Sequence, residues 1–335
     1  MSCTNVLQTP VALIIFNRPD LTARVFAEVA KARPRRLFVF ADGPRPSRER
    51  DAELCAEAQR IVKGVDWDCE VTLDFSTVNL GPHHRIVSGL NAAFQQVEEL
   101  IVLEDDCVPH PTFFKFCEEL LERYRDDKRV MHISGSHLQP QTFRSTPYSY
   151  TFARWNVSWG WATWRRAWQH FDLEVRLWPQ VRETALLTEL MKDPRGVKEY
   201  SAIFDDLYNR PGQNDGWDYA WSFACWSQSG FTLMPSTTLV ANVGFGPDAT
   251  HFPSPPDDPR GRLTAEAMTF PLVHPPCVVQ DREADDFIIQ HYVTQPQPSM
   301  LGRLYMSAER LLRAIPAVPV RRVMALARSV VSFWP

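Results

Sequence analysis

Three short runs of uninterrupted apolar residues, 11–16 (VALIIF), 37–40 (LFVF) and 100–103 (LIVL), constrain the fold of this chain more than any other feature. They are too brief for helices and apolar on both faces, so they read as buried strands. Between them the period changes. Leu21, Val25 and Val29 recur every four residues until Pro34, residues 49–62 form a second helical stretch, and 69–75 a third strand. Ile86, Leu90, Ala93, Phe94 and Val97 then line one face of a third helix. Buried strands that alternate with amphipathic helices belong to an α/β fold with a mostly parallel sheet and helices on both faces.

At roughly 150 residues per domain, 335 residues suffice for about two such units. The expected organisation is two halves of one domain, 1–137 and 138–276, followed by a Pro-rich linker and tail over 277–335. The second half is expected to be less regular and packed on the same sheet. Hydrophobic residues at 44% and charged residues at 23% exclude a disordered chain. Lys plus Arg number 36 against 40 for Asp plus Glu, a net charge of -4, which argues against a dedicated nucleic-acid binder. The seven cysteines are scattered without a CxxC pair, so neither zinc nor a redox dithiol is indicated and a reducing compartment fits. With no 18-residue apolar run and no signal-peptide pattern at residues 1–10, a cytoplasmic location is expected.

In open parallel sheets ligands bind beyond the carboxyl ends of the strands. There the sequence places Asn17 and Arg18, Asp42, and Glu104-Asp105-Asp106. Three adjacent carboxylates repel one another, and a hard divalent cation would neutralise them. The alternative is a solvated acidic turn ahead of the helix after Pro111. Residues 79–85 (NLGPHHR) set a Gly-Pro turn at a helix N-terminus; Arg85 there either meets phosphate oxygens or is a plain surface charge.

Taken in order, VALIIFNRPD, LFVFADGPR, NLGPHHRIVSGLNAAF and LIVLEDDCVPHPTFFKF resemble the nucleotide-sugar-dependent glycosyltransferases of the GT-A fold, a Rossmann-like architecture. The EDD triplet with PxFF is similar to N-acetylglucosaminyltransferase I and to bacterial family-two-like transferases. The resemblance covers roughly residues 10–137 and, more loosely, the chain to His251. It implies a metal-dependent hexosyl or N-acetylhexosaminyl transfer from a nucleoside diphosphate sugar, with a uridine diphosphate donor the first expectation. It also implies that Asp42 accepts from the base, with Asn17 and Arg18 bordering that pocket. Asp106 becomes the direct ligand of Mn²⁺ or Mg²⁺, Glu104 and Asp105 face the ribose, sugar or metal-bound water, and Arg85 with His84 contacts base or diphosphate.

Transfer with inversion needs a carboxylate to take the proton of the acceptor hydroxyl. Residues 214–221 (NDGWDYAW) supply two acids among aromatics. The match to inverting relatives puts the base at Asp218, with Asp215 second; a helix cap is the competing role for either. Nine of the eleven tryptophans lie between 155 and 226. Trp159, Trp161 and Trp217 either stack on acceptor sugar rings or pack a core. His251, in GFGPDATHF with Asp248, is a metal or diphosphate contact by the resemblance and otherwise structural.

From residue 299 onward six arginines against the single acid Glu309 alternate with apolar residues around Pro316 and Pro319. Such helices either lie on the inner face of an anionic membrane, which suits a lipid-linked saccharide acceptor, or pack on the catalytic unit or on a second copy in a homo-oligomer. Two rival readings remain. A nucleotidyltransferase acting on sugar phosphates usually carries a Gly-rich basic loop after its first strand, for which NRPD is a poor substitute. A carbohydrate-binding protein would use the tryptophans but has no need of Asp106 with a separate carboxylate.

Overall fold

Residues Val11–Ile15 form β1, and all five side chains are buried. Strand alternation divides them: Val11, Leu13 and Ile15 enter one core, Ala12 and Ile14 the other. Fully burying each larger aliphatic side chain contributes about 1.5–3 kcal/mol, which fixes the strand at the centre of the fold. The structure, a computed structural model, describes residues 6–139, 146–213, 216–245 and 259–293.

Helix α1 (Pro19–Ala32) opens with its proline in the first turn, where no amide hydrogen is needed, and ends at Arg33 in the left-handed conformation. It leads into β2 (Arg36–Ala41), α2 (Asp51–Val62), β3 (Glu70–Phe75), α3 (Pro82–Phe94) and β4 (Glu99–Glu104). These are the strands and helices the sequence predicts, displaced by a residue or two at their ends, except that Val97 falls three residues beyond the end of α3. Strand β3 is the exception in burial: it is half exposed because it lies at the sheet edge. At α3 the start is set by Gly81, at φ 79°, followed by Pro82. Gly89 lets that helix approach the sheet, since a Cβ there would meet the Phe40 ring at 2.6 Å.

Strands β3, β2, β1 and β4 pair in parallel in that order. Since β2 and β3 lie to one side of β1 and β4 to the other, the winding reverses between β1 and β4. A crevice therefore opens beyond the carboxyl ends of these two strands.

The chain continues with β5 (Cys107–Pro109), α4 (Thr112–Arg123), β6 (Val130–Ser134), β7 (Tyr150–Ala153), β8 (Trp161–Trp164) and α5 (Arg165–Trp168). Then follow α6 (Trp178–Val181), α7 (Leu186–Met191), α8 (Pro194–Asn209), α9 (Trp217–Ser227), β9 (Phe231–Pro235), β10 (Val240–Asn242) and α10 (Arg282–Ile288). The second half does more than cover the sheet. It extends it through β8, β6, β9 and β7 to eight strands, with β8 antiparallel to both β4 and β6. Helices α1, α2 and α4 fill one face, and α3, α8 and α9 fill the other, where most of the tryptophans collect.

A separate antiparallel pair, β5 with β10, sets Asn242 opposite Cys107 and so lays the late chain over the acidic turn. One compact unit runs to Val293. Its last helix is fastened by buried Asp285, which accepts the amides of Arg154 and Trp155 at the end of β7. The expected membrane or oligomer segment 299–335 lies outside the described residues. Among the described residues no helix is long and apolar enough to cross a membrane.

Candidate active site

The residues that follow β1 and β4 meet in the crevice. The Phe16 amide donates to Asp105 Oδ2 at 3.0 Å, tying the two strand ends together. Arg18, the residue before α1, places Nη1 2.8 Å from Asp106 Oδ2 and 3.7 Å from Asp105 Oδ1. On the opposite side the Val243 amide donates to the Asp106 carbonyl. Gly244 lies so close that a Cβ would stand 2.1 Å from Asp106 Oδ2, so no larger residue fits without moving that carboxylate. Together these elements wall a cavity of about 470 Å³.

The acids here are only partly neutralised by Arg18. Glu104 is held well above the usual carboxyl range, first by loss of water around it and then by the charges of Asp106, Asp105 and Asp218; Arg18 acts the other way. Asp105 is pushed up to about 7 by burial and then by Asp106, against Arg18 and the Phe16 amide. Asp218 lies in the first turn of α9 and lines the same cavity from across the crevice. Gly216, not Asp218, occupies the cap position of that helix. Next to it Tyr219 is pushed up to about 12, by burial first and then by Asp218, so its hydroxyl keeps its proton at neutral pH.

At the other end of the cavity each charged side chain is paired within the protein, although Arg85 Nε is buried without a hydrogen-bond partner. Asp42 is buried, and its two oxygens accept from the amides of Gly43, Leu80 and Gly81 and from Asn79 Nδ2. A carboxylate has about four acceptor sites, so in this structure those of Asp42 are taken up in fastening the 79–81 turn, although the residue lines the cavity as expected. Asn17 does not line the cavity; it donates to Asp51, whose carboxylate grips Arg45 through Nε and Nη2. Arg45 in turn stands over the Phe16 ring, 5.2 Å from its centroid. Arg85 lines the cavity but pairs with Asp74 at 3.0 Å and donates to the Asp74 carbonyl. His84 is exposed, its ring tilted against that of His83, and lies close to Gly212 rather than in the wall.

The three tryptophans part company. Trp159 and Trp217 line the cavity, Trp159 set edge-on to Phe245 at 5.5 Å. Trp161 instead is fully buried, stacked on His132 and Trp217 in the aromatic core, because β8 is an interior strand. Asp215, His251 and Asp248 lie outside the described residues. Arg45, Asn79, Tyr219, Gly244 and Phe245 belong to the wall without having been singled out. Arg45 could have been found, since it follows the second strand in ADGPR; the others depend on contacts distant in sequence.

Oxygen donors of this kind suit a hard cation, and the upward shifts of Glu104 and Asp105, due first to burial and then to neighbouring carboxylates, include a repulsion that such an ion would relieve. Among the described residues, however, no group of three or more His, Cys, Asp or Glu side chains is arranged to hold a metal by itself. A cation at this corner would draw further oxygens from its ligand and water.

No family model and no curated protein matches the chain. Among solved structures it is similar to a mannosyltransferase from Pyrobaculum calidifontis in complex with GDP-Man and Mn²⁺, at 15% identity and a TM-score of 0.35, over 50% of this chain and 48% of that one. It is also similar to a UDP-glucose pyrophosphorylase complexed with UDP-glucose, at 13% identity and a TM-score of 0.27, over 44% of this chain. The chain thus spans about half the length of the first and 62% of the second.

Proposed function

We propose that this protein is a divalent-cation-dependent glycosyltransferase. It moves a sugar from a nucleoside diphosphate donor to a hydroxyl of a saccharide or lipid-linked saccharide acceptor, with inversion. The observation that carries this reading is the facing of two acidic groups across one cavity: Glu104, Asp105 and Asp106 at the switch point of the sheet, and Asp218 on α9.

Asp106 is the first choice to hold Mn²⁺ or Mg²⁺, with Glu104 and Asp105 beside it. When bound, the cation would neutralise charge developing on the departing nucleoside diphosphate. Arg45 and Arg85 border the end that receives base and ribose, held in place by Asp51 and Asp74. Trp159 and Phe245 offer flat apolar faces to a sugar ring and exclude water from the transfer. Asp218 accepts the proton of the acceptor hydroxyl, with the Tyr219 hydroxyl available as a donor alongside it. Asp42 supports the pocket and does not read the base, which leaves base selection to the rest of the wall.

The test is release of nucleoside diphosphate from a panel of nucleotide sugars by wild type, Asp106→Asn and Asp218→Asn, with and without a chelator. The reading predicts turnover that requires the cation and both acids, and a product of inverted anomeric configuration. Formation of a nucleotide sugar and pyrophosphate from a nucleoside triphosphate and a sugar phosphate would instead favour the nucleotidyltransferase.

A further inference from the structure

Three arginines line the described cavity wall, and they are held in two different ways. Arg45 pairs with Asp51 and Arg85 with Asp74, acids that do not line the cavity, so their positions can persist when a ligand enters. Arg18 pairs with Asp106 and Asp105, which are themselves the acids of the candidate cation corner. Its guanidinium stands at hydrogen-bond distance, 2.8 Å, from Oδ2 of Asp106, one of the two oxygens that carboxylate could offer a divalent ion. That oxygen cannot turn away freely, because Gly244 closes the far side.

Resting on the cation-dependent reading above, we infer that Arg18 is a built-in counter-ion that competes with the divalent cation for Asp106. A guanidinium and a divalent ion drawn to the same carboxylate repel each other at this separation, so each weakens the hold of the other. The free protein therefore neutralises its acidic corner in part with its own arginine and takes up the cation weakly. Binding of the ion displaces Arg18 into the cavity, on the side where a diphosphate would lie. Cation and nucleoside diphosphate thereby favour each other, since the guanidinium evicted by one can meet the other. Arg18 acts on the site through Asp106 and is in this sense a positioning residue.

The experiment is Mn²⁺ titration of the full chain, without nucleotide, followed by the electron paramagnetic resonance of the free ion. Arg18→Gln is expected to bind Mn²⁺ about tenfold more tightly than wild type, as expected for removal of a unit positive charge beside the site. Arg18→Lys, which keeps the charge but not the planar fork, is expected to stay near wild type. Asp106→Asn is the control on the reading itself. If it binds Mn²⁺ as wild type does, the cation assignment falls and the role of Arg18 with it. If it loses Mn²⁺ while Arg18→Gln binds no more tightly than wild type, the assignment stands and the competition alone is refuted. A readout that needs no variant is labelling of wild-type Arg18 by an arginine-specific dicarbonyl, located by peptide mapping. Mn²⁺ should speed the labelling; protection by Mn²⁺ would overturn the proposal.

Discussion

The two ends of the cavity are built from the same kinds of side chain and differ in how their charges are balanced. At the end bounded by β2, β3 and α3, Asp42 has all its acceptor sites filled and Arg45 and Arg85 each have a carboxylate of their own. At the end bounded by β1, β4 and α9, Glu104, Asp105, Asp106 and Asp218 crowd together and Arg18 bonds to two of them. Groups satisfied within the protein give shape and rigidity; groups left in mutual repulsion store a demand that a ligand meets. Substitutions at the two ends should therefore act on different quantities.

The largest effect is expected at the acidic end and on activity. Asp218→Asn removes the proton acceptor while keeping the shape, and should lower turnover about 10²- to 10⁴-fold with little change in stability, read by steady-state kinetics beside urea unfolding. A variant with full turnover would remove Asp218 from the mechanism. The next effect is expected at the satisfied end and on stability. Asp42→Ala strands the amides of Gly43, Leu80 and Gly81 and the Asn79 side chain. It should lower unfolding stability by about 3 kcal/mol, since each buried donor left alone costs about 1–3 kcal/mol and the turn can partly rehydrate. Equal stability together with lost nucleotide affinity would restore Asp42 to base recognition.

Those two acids also mark what could be read before the fold was known. The strand-helix alternation gave the parallel core and put Asp42 and Glu104 to Asp106 at strand ends, because apolar runs of that length have few other ways to be buried. The requirement for a second carboxylate points to the two acids of NDGWDYAW, and only the resemblance to inverting transferases puts Asp218 ahead of Asp215. What could not be read is pairing. Nothing local says that Asp42 is saturated by residues 79–81, or that Arg18 rather than solvent meets Asp106. Strands β6, β7 and β8 went unseen for a related reason: VMHIS carries a histidine and WATW reads as an aromatic cluster, and both become strands through neighbours distant in the chain. Trp159 and Trp161 are two residues apart, yet one lines the cavity and the other is core.

A third effect, opposite in sign, sharpens the contrast. Burial and the neighbouring Asp106 push the Asp105 carboxyl up to about 7 in the fold from an ordinary 3.8, so its ionisation opposes folding increasingly from about pH 4 and in full above 7. Below about pH 4 the group is protonated in both states and contributes nothing of this kind. Asp105→Asn, whose amide oxygen can still accept from Phe16, should therefore unfold at higher urea than wild type at pH 8. That advantage should shrink as the pH falls through 7 and vanish near 4. Lower stability of the variant across this whole range would mean that the acidic end is not under strain. The gain should come with loss of Mn²⁺ affinity, the usual exchange of stability for function at such a site.

The smallest effect concerns a residue that touches the cavity only through others. Asn17 donates to Asp51 at 2.8 Å, and Asp51 holds Arg45, whose guanidinium lies over Phe16. Asn17→Ala deletes one of several bonds to a carboxylate already gripped by an arginine, so about 1 kcal/mol of stability should be lost. Asp51 lies below the usual carboxylate range chiefly because of Arg45, with Asn17 a lesser cause; the variant should raise it slightly. A carboxylate held low in the fold adds stability above its unfolded value and loses it as pH falls through the folded one. The deficit of the Asn17→Ala protein should accordingly be present at pH 7 and close toward strong acid, the reverse of the trend at Asp105. Opposite slopes from residues at the ends of two neighbouring strands would show that the protein balances charge internally at one end of its cavity and leaves it to a ligand at the other.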